Sequence, residues 1–217
     1  MTSFRDLDVA AVRPTLAAVF AAALCILLAG CGLSRPAAIK QTYLLQTPPA
    51  VTATGVTPRA STLKVGSIAV AAPFRGKSLV YREAELKYES DFYNEFFVTP
   101  SAMFTESASA WLSTAGIFKD VLPASANADG DFVLEGFVSE LYGDYRAAGK
   151  PVAVLTARFF VLDNSIFTGV PVWQTELKQR VPLSSTNSET LAAGFNAAWG
   201  AMLSDLSREL ASAKLSR

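Results

Sequence analysis

The stretches PVAVLTARFFVL (residues 151–162) and VWQTELKQRV (residues 172–181) decide the predicted fold, because both alternate with a period of two. In the first stretch one set of alternate positions is entirely apolar, namely Ala153, Leu155, Ala157, Phe159 and Val161. In the second stretch one set is entirely polar, namely Gln174, Glu176, Lys178 and Arg180. Strands with one apolar and one polar side are typical of an antiparallel sheet with one covered face.

Further segments extend this sheet and provide its cover. Strand patterns also occur at residues 42–47, 63–71, 78–82, 85–89, 117–121 and 132–141. Two amphipathic helices are predicted: the first begins at Thr99 and Pro100, and a capping box of Thr186 and Glu189 opens the second. We therefore predict an α+β fold of two layers, in which the two helices pack on an antiparallel or mixed sheet.

The second predicted helix is the stronger of the two. Its apolar side consists of Leu191, Phe195, Trp199, Met202, Leu206 and Leu210. Gly194 and Gly200 lie inside this helix, and each weakens it by roughly 1 kcal/mol relative to alanine. We expect both glycines to permit close packing, and simple tolerance is the alternative.

Residues 1–30 are predicted to be a secretory signal peptide that is removed. The apolar run at residues 14–28 is shorter than the roughly 20 residues of a membrane-spanning helix and fits the core of a signal. Leu28, Ala29, Gly30 and Cys31 at its end resemble the bacterial lipobox. The resemblance implies that Cys31 receives a diacylglyceride and that its new amine is acylated, for example by palmitate. A plain signal with a chance cysteine and an uncleaved anchor are the alternatives.

Lipidation implies a chain anchored to a membrane outside the cytoplasm, since several acyl chains hold a protein far more firmly than one. Gly32 follows Cys31 where, in many Gram-negative bacteria, an aspartate signals retention in the inner membrane. By that resemblance we favour the inner leaflet of the outer membrane, on the periplasmic side, over the inner membrane. Residues 31–61 are then a lipidated tether with a short strand at 42–47, and residues 62–214 form the folded domain.

The composition argues against several classes of function. The 19 Lys and Arg cancel the 19 Asp and Glu, so no general attraction to nucleic acid exists. Histidine is absent, and the two cysteines, Cys25 and Cys31, both lie near the N-terminus, where Cys25 would leave with the signal peptide. Glycine-rich phosphate loops are absent as well. We therefore expect no nucleic-acid partner, no metal and no cofactor.

Carboxylates are the remaining candidates for acid/base chemistry. They are Glu85, Glu89, Asp91, Glu95, Glu135, Glu140 and Asp144. No spacing among them brings two together in the way that paired-carboxylate hydrolysis requires. We expect no catalytic residues and no enzyme, and a hydrolase remains an alternative only if two of these carboxylates converge in a cleft.

An aromatic run between residues 88 and 97 allows two interpretations. Strand packing explains it most simply, because half of any strand must point inward. The alternative is a surface that binds a partner, formed by Phe92, Tyr93, Phe96 and Phe97. We carry these four residues forward as candidates for partner binding.

The order of short motifs resembles the ABC-type transport auxiliary lipoprotein family. Members of this family resemble the paraquat-inducible lipoprotein that works with MCE-domain (mammalian cell entry) proteins. The resemblance covers residues 42–210, and its motifs after the lipobox are YLL (43–45), LKVGSIAVAAPF (63–74), LVYR (79–82), YNEFFVTP (93–100), FVLEG (132–136) and Trp173. It implies a non-enzymatic periplasmic lipoprotein that acts beside an ABC permease, an ATPase and an MCE substrate-binding protein in transport of lipids between the two membranes.

The family resemblance also implies a docking or assembly role. The acyl anchor would fix one end of the chain to a membrane while the folded domain meets the MCE assembly. Ring-like self-association is a further property that the resemblance implies. The alternative function is a lipid-anchored receptor that binds a small apolar ligand in its own pocket.

Lipidation of Cys31 is directly testable by mass spectrometry of the chain isolated from cell membranes. We expect a mature polypeptide that begins at Cys31 and carries the mass of three acyl chains, because the lipobox directs both modification and cleavage. The Cys31→Ser variant should retain its leader or lose its membrane association. An unmodified Cys31 in the parent chain would contradict the prediction.

Overall fold

The computed structural model describes residues 39–46, 57–165 and 169–215. Its strands are β1 (Gln41–Tyr43), β2 (Arg59–Val70), β3 (Ser78–Arg82), β4 (Tyr88–Phe96), β5 (Phe118–Leu122), β6 (Phe132–Asp144), β7 (Val152–Asp163) and β8 (Trp173–Pro182). Its helices are α1 (Pro100–Ala115) and α2 (Ser188–Ser212), and a 3-10 turn spans Ala72–Phe74. The predicted signal peptide, the predicted lipobox and Cys31 lie outside the described residues.

All eight strands belong to one mixed sheet organised around β6. Along one side, β6 pairs with β7 in antiparallel orientation, and β7 pairs in the same way with β8. Along its other side, β6 pairs in parallel first with β2 and then with β3. Beyond these two strands lie β5, parallel to β2, and β4, antiparallel to β3, with β1 outside β4.

Both helices cover the same face of this sheet. The indole of Trp199 on α2 lies 4.6 Å from the ring of Phe104 on α1 and 6.5 Å from that of Phe159 on β7. The Trp199 Nε1–H also donates to Ser107 Oγ on α1 at 2.8 Å. All three rings are fully buried, so the two helices and the sheet share one core. The predicted two-layer α+β fold is confirmed.

The C-terminal helix follows its predicted apolar side but not its predicted cap. All six apolar residues expected to face the sheet are completely buried. The cap is Asn187 rather than Thr186, because the Asn187 Oδ1 accepts the N–H of Thr190 at 2.7 Å. The predicted capping box of Thr186 and Glu189 is therefore wrong: asparagine caps at least as well as threonine and stands one residue nearer the helix.

The β3–β4 hairpin differs from its prediction in the second strand. That strand was expected at residues 85–89 but spans Tyr88–Phe96. Residues Glu83 to Lys87 form the turn, because the Glu83 N–H donates to the Lys87 carbonyl and Arg82 pairs with Glu85. Leu86 at the tip is 93% exposed, so the apparent alternation here belongs to a turn.

Strands near the N-terminal part of the domain also start at other positions than predicted. Strand β1 spans Gln41–Tyr43, so it starts one residue before the strand predicted at 42–47, and residues 44–46 lie outside it. Strand β2 begins at Arg59 instead of Leu63, so the tether predicted for residues 31–61 overlaps the start of this strand. The Arg59 Nη2 donates to the Leu210 carbonyl at 3.0 Å and to the Ala213 carbonyl, which connects the start of β2 to the end of α2.

The two glycines of α2 occupy different environments, and substitution by alanine should separate them. A Cβ at Gly194 would lie 2.9 Å from the Ala153 Cβ and in conflict with the Leu183 Cδ2, whereas a Cβ at Gly200 meets nothing within 4 Å. The expected packing role is therefore confirmed for Gly194 and wrong for Gly200.

We expect Gly194→Ala to lower the free energy of unfolding by about 1–3 kcal/mol through overpacking. Gly200→Ala should raise it by up to about 1 kcal/mol through helix propensity. Urea denaturation of the two variants beside the parent chain measures both values. Equal effects of the two substitutions would show that helix propensity, not packing, controls both sites.

Candidate interaction surface

Three of the four aromatic candidates are exposed and one is not. Phe92 is 71% exposed, Phe97 61% and Tyr93 49%. Phe96 is only 1% exposed, and its ring lies 6.0 Å from that of Phe195 on α2. Phe96 is therefore a core residue, and its assignment to a partner-binding surface is wrong. The other three are named the exposed aromatic set below.

A large bulge in β4 presents two of these rings. Ser78 pairs with Glu95 and Val80 pairs with Ser90, so Leu79 alone stands opposite the segment from Asp91 to Asn94. Extra residues on one strand are left unpaired and bend it away from its neighbour. Phe92 and Tyr93 lie within this segment, and their rings meet edge to face at 5.1 Å and 87°. We call residues 91–94 the aromatic bulge.

The carboxylate of Asp91 holds the aromatic bulge in shape. Its Oδ1 accepts the backbone N–H groups of Tyr93 at 2.8 Å and Asn94 at 2.9 Å, which is an Asx turn. Its Oδ2 accepts from the Asn94 side-chain amide at 2.9 Å and from the Tyr81 hydroxyl on β3. Four donors therefore fix one carboxylate, and the bulge is tied both to itself and to the neighbouring strand.

Electrostatics keep this carboxylate ionised and its tyrosine neighbours protonated. Burial alone would raise the pKa of Asp91, but the hydrogen bonds from Tyr81, Tyr93 and Asn94 outweigh burial and lower that pKa. Burial, followed by the hydrogen bond to Asp91, raises the pKa of Tyr81. Burial and the Asp91 charge raise the pKa of Tyr145, stacked on Tyr81 at 5.2 Å, to about 12. The arrangement thus persists at neutral pH.

The start of the described domain lies against the same bulge. The Lys40 Nζ is 5.2 Å from the centroid of the Phe92 ring and 3.1 Å from the Glu95 carboxylate. A cation over an aromatic face is attracted by the ring quadrupole. The Phe97 N–H donates to the Tyr43 carbonyl at 2.8 Å, so β1 also supports the residue after β4. Sequence reasoning missed the contact of Lys40 with Phe92.

Two of the candidate carboxylates meet, but at an arginine. The Glu85 Oε2 lies 2.6 Å from the Arg146 Nη1, and the Asp144 Oδ2 lies 2.9 Å from the Arg146 Nη2. Arg180 also contacts Asp144, at 3.2 Å. Hydrogen bonds from Arg146 hold the pKa of Asp144 well below its usual range. A general acid needs a raised pKa, whereas this ion-pair network lowers the pKa of Asp144.

Other chemistry has little support in the described ranges. No three acidic or cysteine side chains among residues 39–46, 57–165 and 169–215 come together as metal ligands do. Neither α1 nor α2 has the length and apolar character of a membrane span, within the same residues. These observations concern the domain alone and not the predicted lipid anchor.

A groove of about 810 Å³ runs beside α1, on the side of segment 121–125. Its lining is dominated by small and hydroxyl-bearing side chains, among them Ser101, Thr105, Ser109, Ser113 and Ser125. Part of this lining serves the fold, because the Ser101 Oγ donates to the Ile68 carbonyl at 2.6 Å and the Thr105 Oγ1 accepts the Ile68 N–H at 2.9 Å. This groove is the pocket in which a small apolar ligand would bind under the receptor alternative.

Comparison with known proteins identifies the fold. No family model and no curated protein matches the chain. Protein XCC0632 from Xanthomonas campestris, of family DUF330, is 17% identical, with a TM-score of 0.69 over 78% of this chain and 95% of that one. An uncharacterised protein is 14% identical, with a TM-score of 0.62 over 79% and 99% of the two chains.

A third structure, the lipoprotein GNA1162 from Neisseria meningitidis, is 17% identical over 71% of this chain and all of that one. Its TM-score of 0.38 is too low to support an argument. At these identities the similarity to XCC0632 and to the uncharacterised protein establishes a shared fold and nothing about activity.

The different burial of Phe92 and Phe96 can be tested by stability. We expect Phe96→Ala to lower the free energy of unfolding by about 3–5 kcal/mol, because it removes a buried aromatic ring. Phe92→Ala should change it by no more than about 0.5 kcal/mol, because its ring is mostly in solvent. Chemical denaturation provides the measurement. A large loss at Phe92 would mean that its ring is buried in solution.

Proposed function

We propose that this chain is a membrane-anchored periplasmic lipoprotein that serves as a non-enzymatic docking component of an ABC/MCE-type transport system for lipids or other hydrophobic compounds. In this function Cys31 carries the anchor and the exposed aromatic set contacts the MCE-domain protein, which acts with the ABC permease and its ATPase. No cofactor is required. The observation that carries the proposal is the aromatic bulge, which holds large apolar rings in solvent.

The energetics of the bulge support a binding role. An exposed phenyl ring forgoes the roughly 1.5–3 kcal/mol that burial of a large apolar side chain contributes to stability. Aromatic residues are enriched at the energetic centre of protein interfaces, where they supply large contact areas with few rotatable bonds. The hydrogen bonds of Asp91 fix Phe92 and Tyr93 before any partner arrives. Preorganisation of this kind reduces the entropy lost on binding.

The position of the tether supports the same role. Lys40 lies nine positions after Cys31, and nine steps of an extended chain span at most about 30 Å. An anchor at Cys31 therefore keeps Lys40, which contacts Phe92 of the aromatic bulge, within that distance of the membrane surface. Confinement raises the effective concentration of the domain at any partner that reaches the same membrane, so modest contacts suffice. Because Gly32, and not an aspartate, follows Cys31, we propose that the anchor lies in the inner leaflet of the outer membrane.

The groove beside α1 supports a second candidate, the receptor for a small apolar ligand. Its volume of about 810 Å³ is adequate for a small molecule. Its lining of serines, threonines and alanines offers fewer large apolar side chains than ligand pockets usually have. Native mass spectrometry of the purified protein separates the two functions, because a receptor retains bound lipid and a docking component does not require it.

Co-purification with the MCE-domain protein tests the docking function. The acylated chain is isolated from detergent-solubilised envelope, and the MCE-domain protein is quantified in the eluate. We expect the combined Phe92→Ser and Phe97→Ser substitutions to reduce its amount at least tenfold, because two exposed rings are lost from the contact.

Leu86→Ser is the matched control, since Leu86 is an apolar residue that is 93% exposed on the neighbouring hairpin turn. It should leave co-purification unchanged. Cys31→Ser should abolish co-purification from membranes while the domain still folds. Full recovery of the MCE-domain protein with the double serine variant would rule out the aromatic set as the contact, and absence of that protein from the parent eluate would reject the docking function itself.

A further inference from the structure

Strand β8 is a free and unusually regular edge of the sheet. Within the described residues it pairs with β7 alone. The β7–β8 ladder runs from Val161 opposite Trp173 to Val152 opposite Pro182 with no register shift. No proline interrupts residues 173–181. Natural sheets commonly protect such edges with proline, a bulge or charged side chains. Pro182 ends β8, and residues 173–181 carry charges of both signs, so this edge accepts only a strand of complementary charge.

The register of this ladder determines which backbone groups face outward. The Leu183 N–H donates to the Pro151 carbonyl at 2.9 Å, and these residues continue the register of the ladder. Odd-numbered residues of β8 therefore turn their backbone groups toward β7. Because the backbone groups of a strand alternate between its two sides, the free edge receives those of the even-numbered residues, Gln174, Glu176, Lys178 and Arg180.

We propose that β8 pairs with β8 of a second copy of this chain, antiparallel and about a two-fold axis through Leu177. In this register Glu176 of one copy lies opposite Lys178 of the other, and Gln174 lies opposite Arg180. The outward-facing residues from Gln174 to Arg180 of each copy then form hydrogen-bonded pairs, and Pro182, which has no N–H, lies beyond them. The interface is isologous and closed, so it yields a dimer in which two eight-stranded sheets become one, which differs from the ring that the family resemblance implies.

Charge selects this register over its neighbours. A shift of two residues in one direction places Glu176 of one copy opposite Glu176 of the other. A shift of two residues in the other direction places Lys178 opposite Lys178. Like charges directly opposite each other destabilise an antiparallel pair, and opposite charges stabilise it. Shifts by one residue bring outward-facing groups against inward-facing ones and lose the hydrogen bonds. The register centred on Leu177 avoids both costs.

The side of β8 that faces the helix layer fits the same axis. Leu177, already almost buried, meets its own copy. Trp173 and Val181 are half-buried in the single chain, and they lie opposite each other across the axis. Pairing covers the exposed parts of these apolar side chains. The dimer rests on the edge strand and not on the docking partner proposed above, so the two ideas can fail separately.

Charge reversal tests the dimer in the full-length chain purified in detergent. Sedimentation velocity compares the parent chain, Glu176→Lys, Lys178→Glu and an equimolar mixture of the two variants. We expect a parent dimer, and dimerisation weakened about tenfold or more in each variant, because both symmetry-related pairs become repulsive. The mixture should dimerise again, since unlike charges face each other only between the two different variants.

A monomeric parent at about 100 μM, undiminished dimerisation of both variants, or a monomeric mixture overturns the proposal. Circular dichroism checks that the variants are folded, and both side chains are exposed.

Disulfide trapping provides a measurement that does not depend on charge. Chains with Gln174→Cys and with Arg180→Cys are mixed and oxidised, because these positions face each other only across the proposed axis. We expect a disulfide-linked dimer in the mixture and little in either variant alone, where the introduced cysteines are several residues apart. The parent chain reports any linkage through its native cysteines. No linkage in the mixture, or equal linkage in every sample, contradicts the register.

Discussion

The structure depends on one strand, β6, that pairs along its whole length. Thirteen residues of β6 carry β7 on one side and both β2 and β3 on the other. Parallel pairing with two successive strands forces the chain to leave and rejoin the sheet. The connection between β2 and β3 carries the 3-10 turn, and β3 then pairs with β4 in the antiparallel hairpin. The aromatic bulge therefore exists where it does because β6 is long enough to hold β3 beyond the end of β2.

Much of this fold is predictable from the sequence, because burial of one side of a strand or helix makes its apolar residues recur at regular spacing. Strand β7 and helix α2 each bury one set of residues completely, and their spacings of two and of three to four reveal them. The second strand of the hairpin was misplaced because β4 is mostly exposed on both sides, which leaves no alternation to detect. Parallel pairing of β2 with β6 is a long-range property that no local pattern encodes.

The exposure of the aromatic run was only partly predictable for a related reason. The aromatic run drew attention to residues 92–97, but a regular strand would place Phe92 and Phe96 on the same side. The bulge changes that parity, so Phe96 enters the core while Phe92 stays in solvent. The spacing of Asp91 to Tyr93 and Asn94 is the local signal for an Asx turn. The contact with Lys40 depends on parallel pairing of β1 with β4 and has no such signal.

The link between Arg59 and the end of α2 has a consequence for biogenesis. The donor and its acceptor at Leu210 are 151 residues apart, so the first long strand waits for the last turn of the final helix. In a polypeptide that emerges N-terminus first, Arg59 of β2 lacks this hydrogen bond until almost the whole chain has emerged. Long-range closure of this kind slows folding and leaves unpaired strands accessible. Closure of this contact is therefore among the last folding steps open to a chain that emerges N-terminus first.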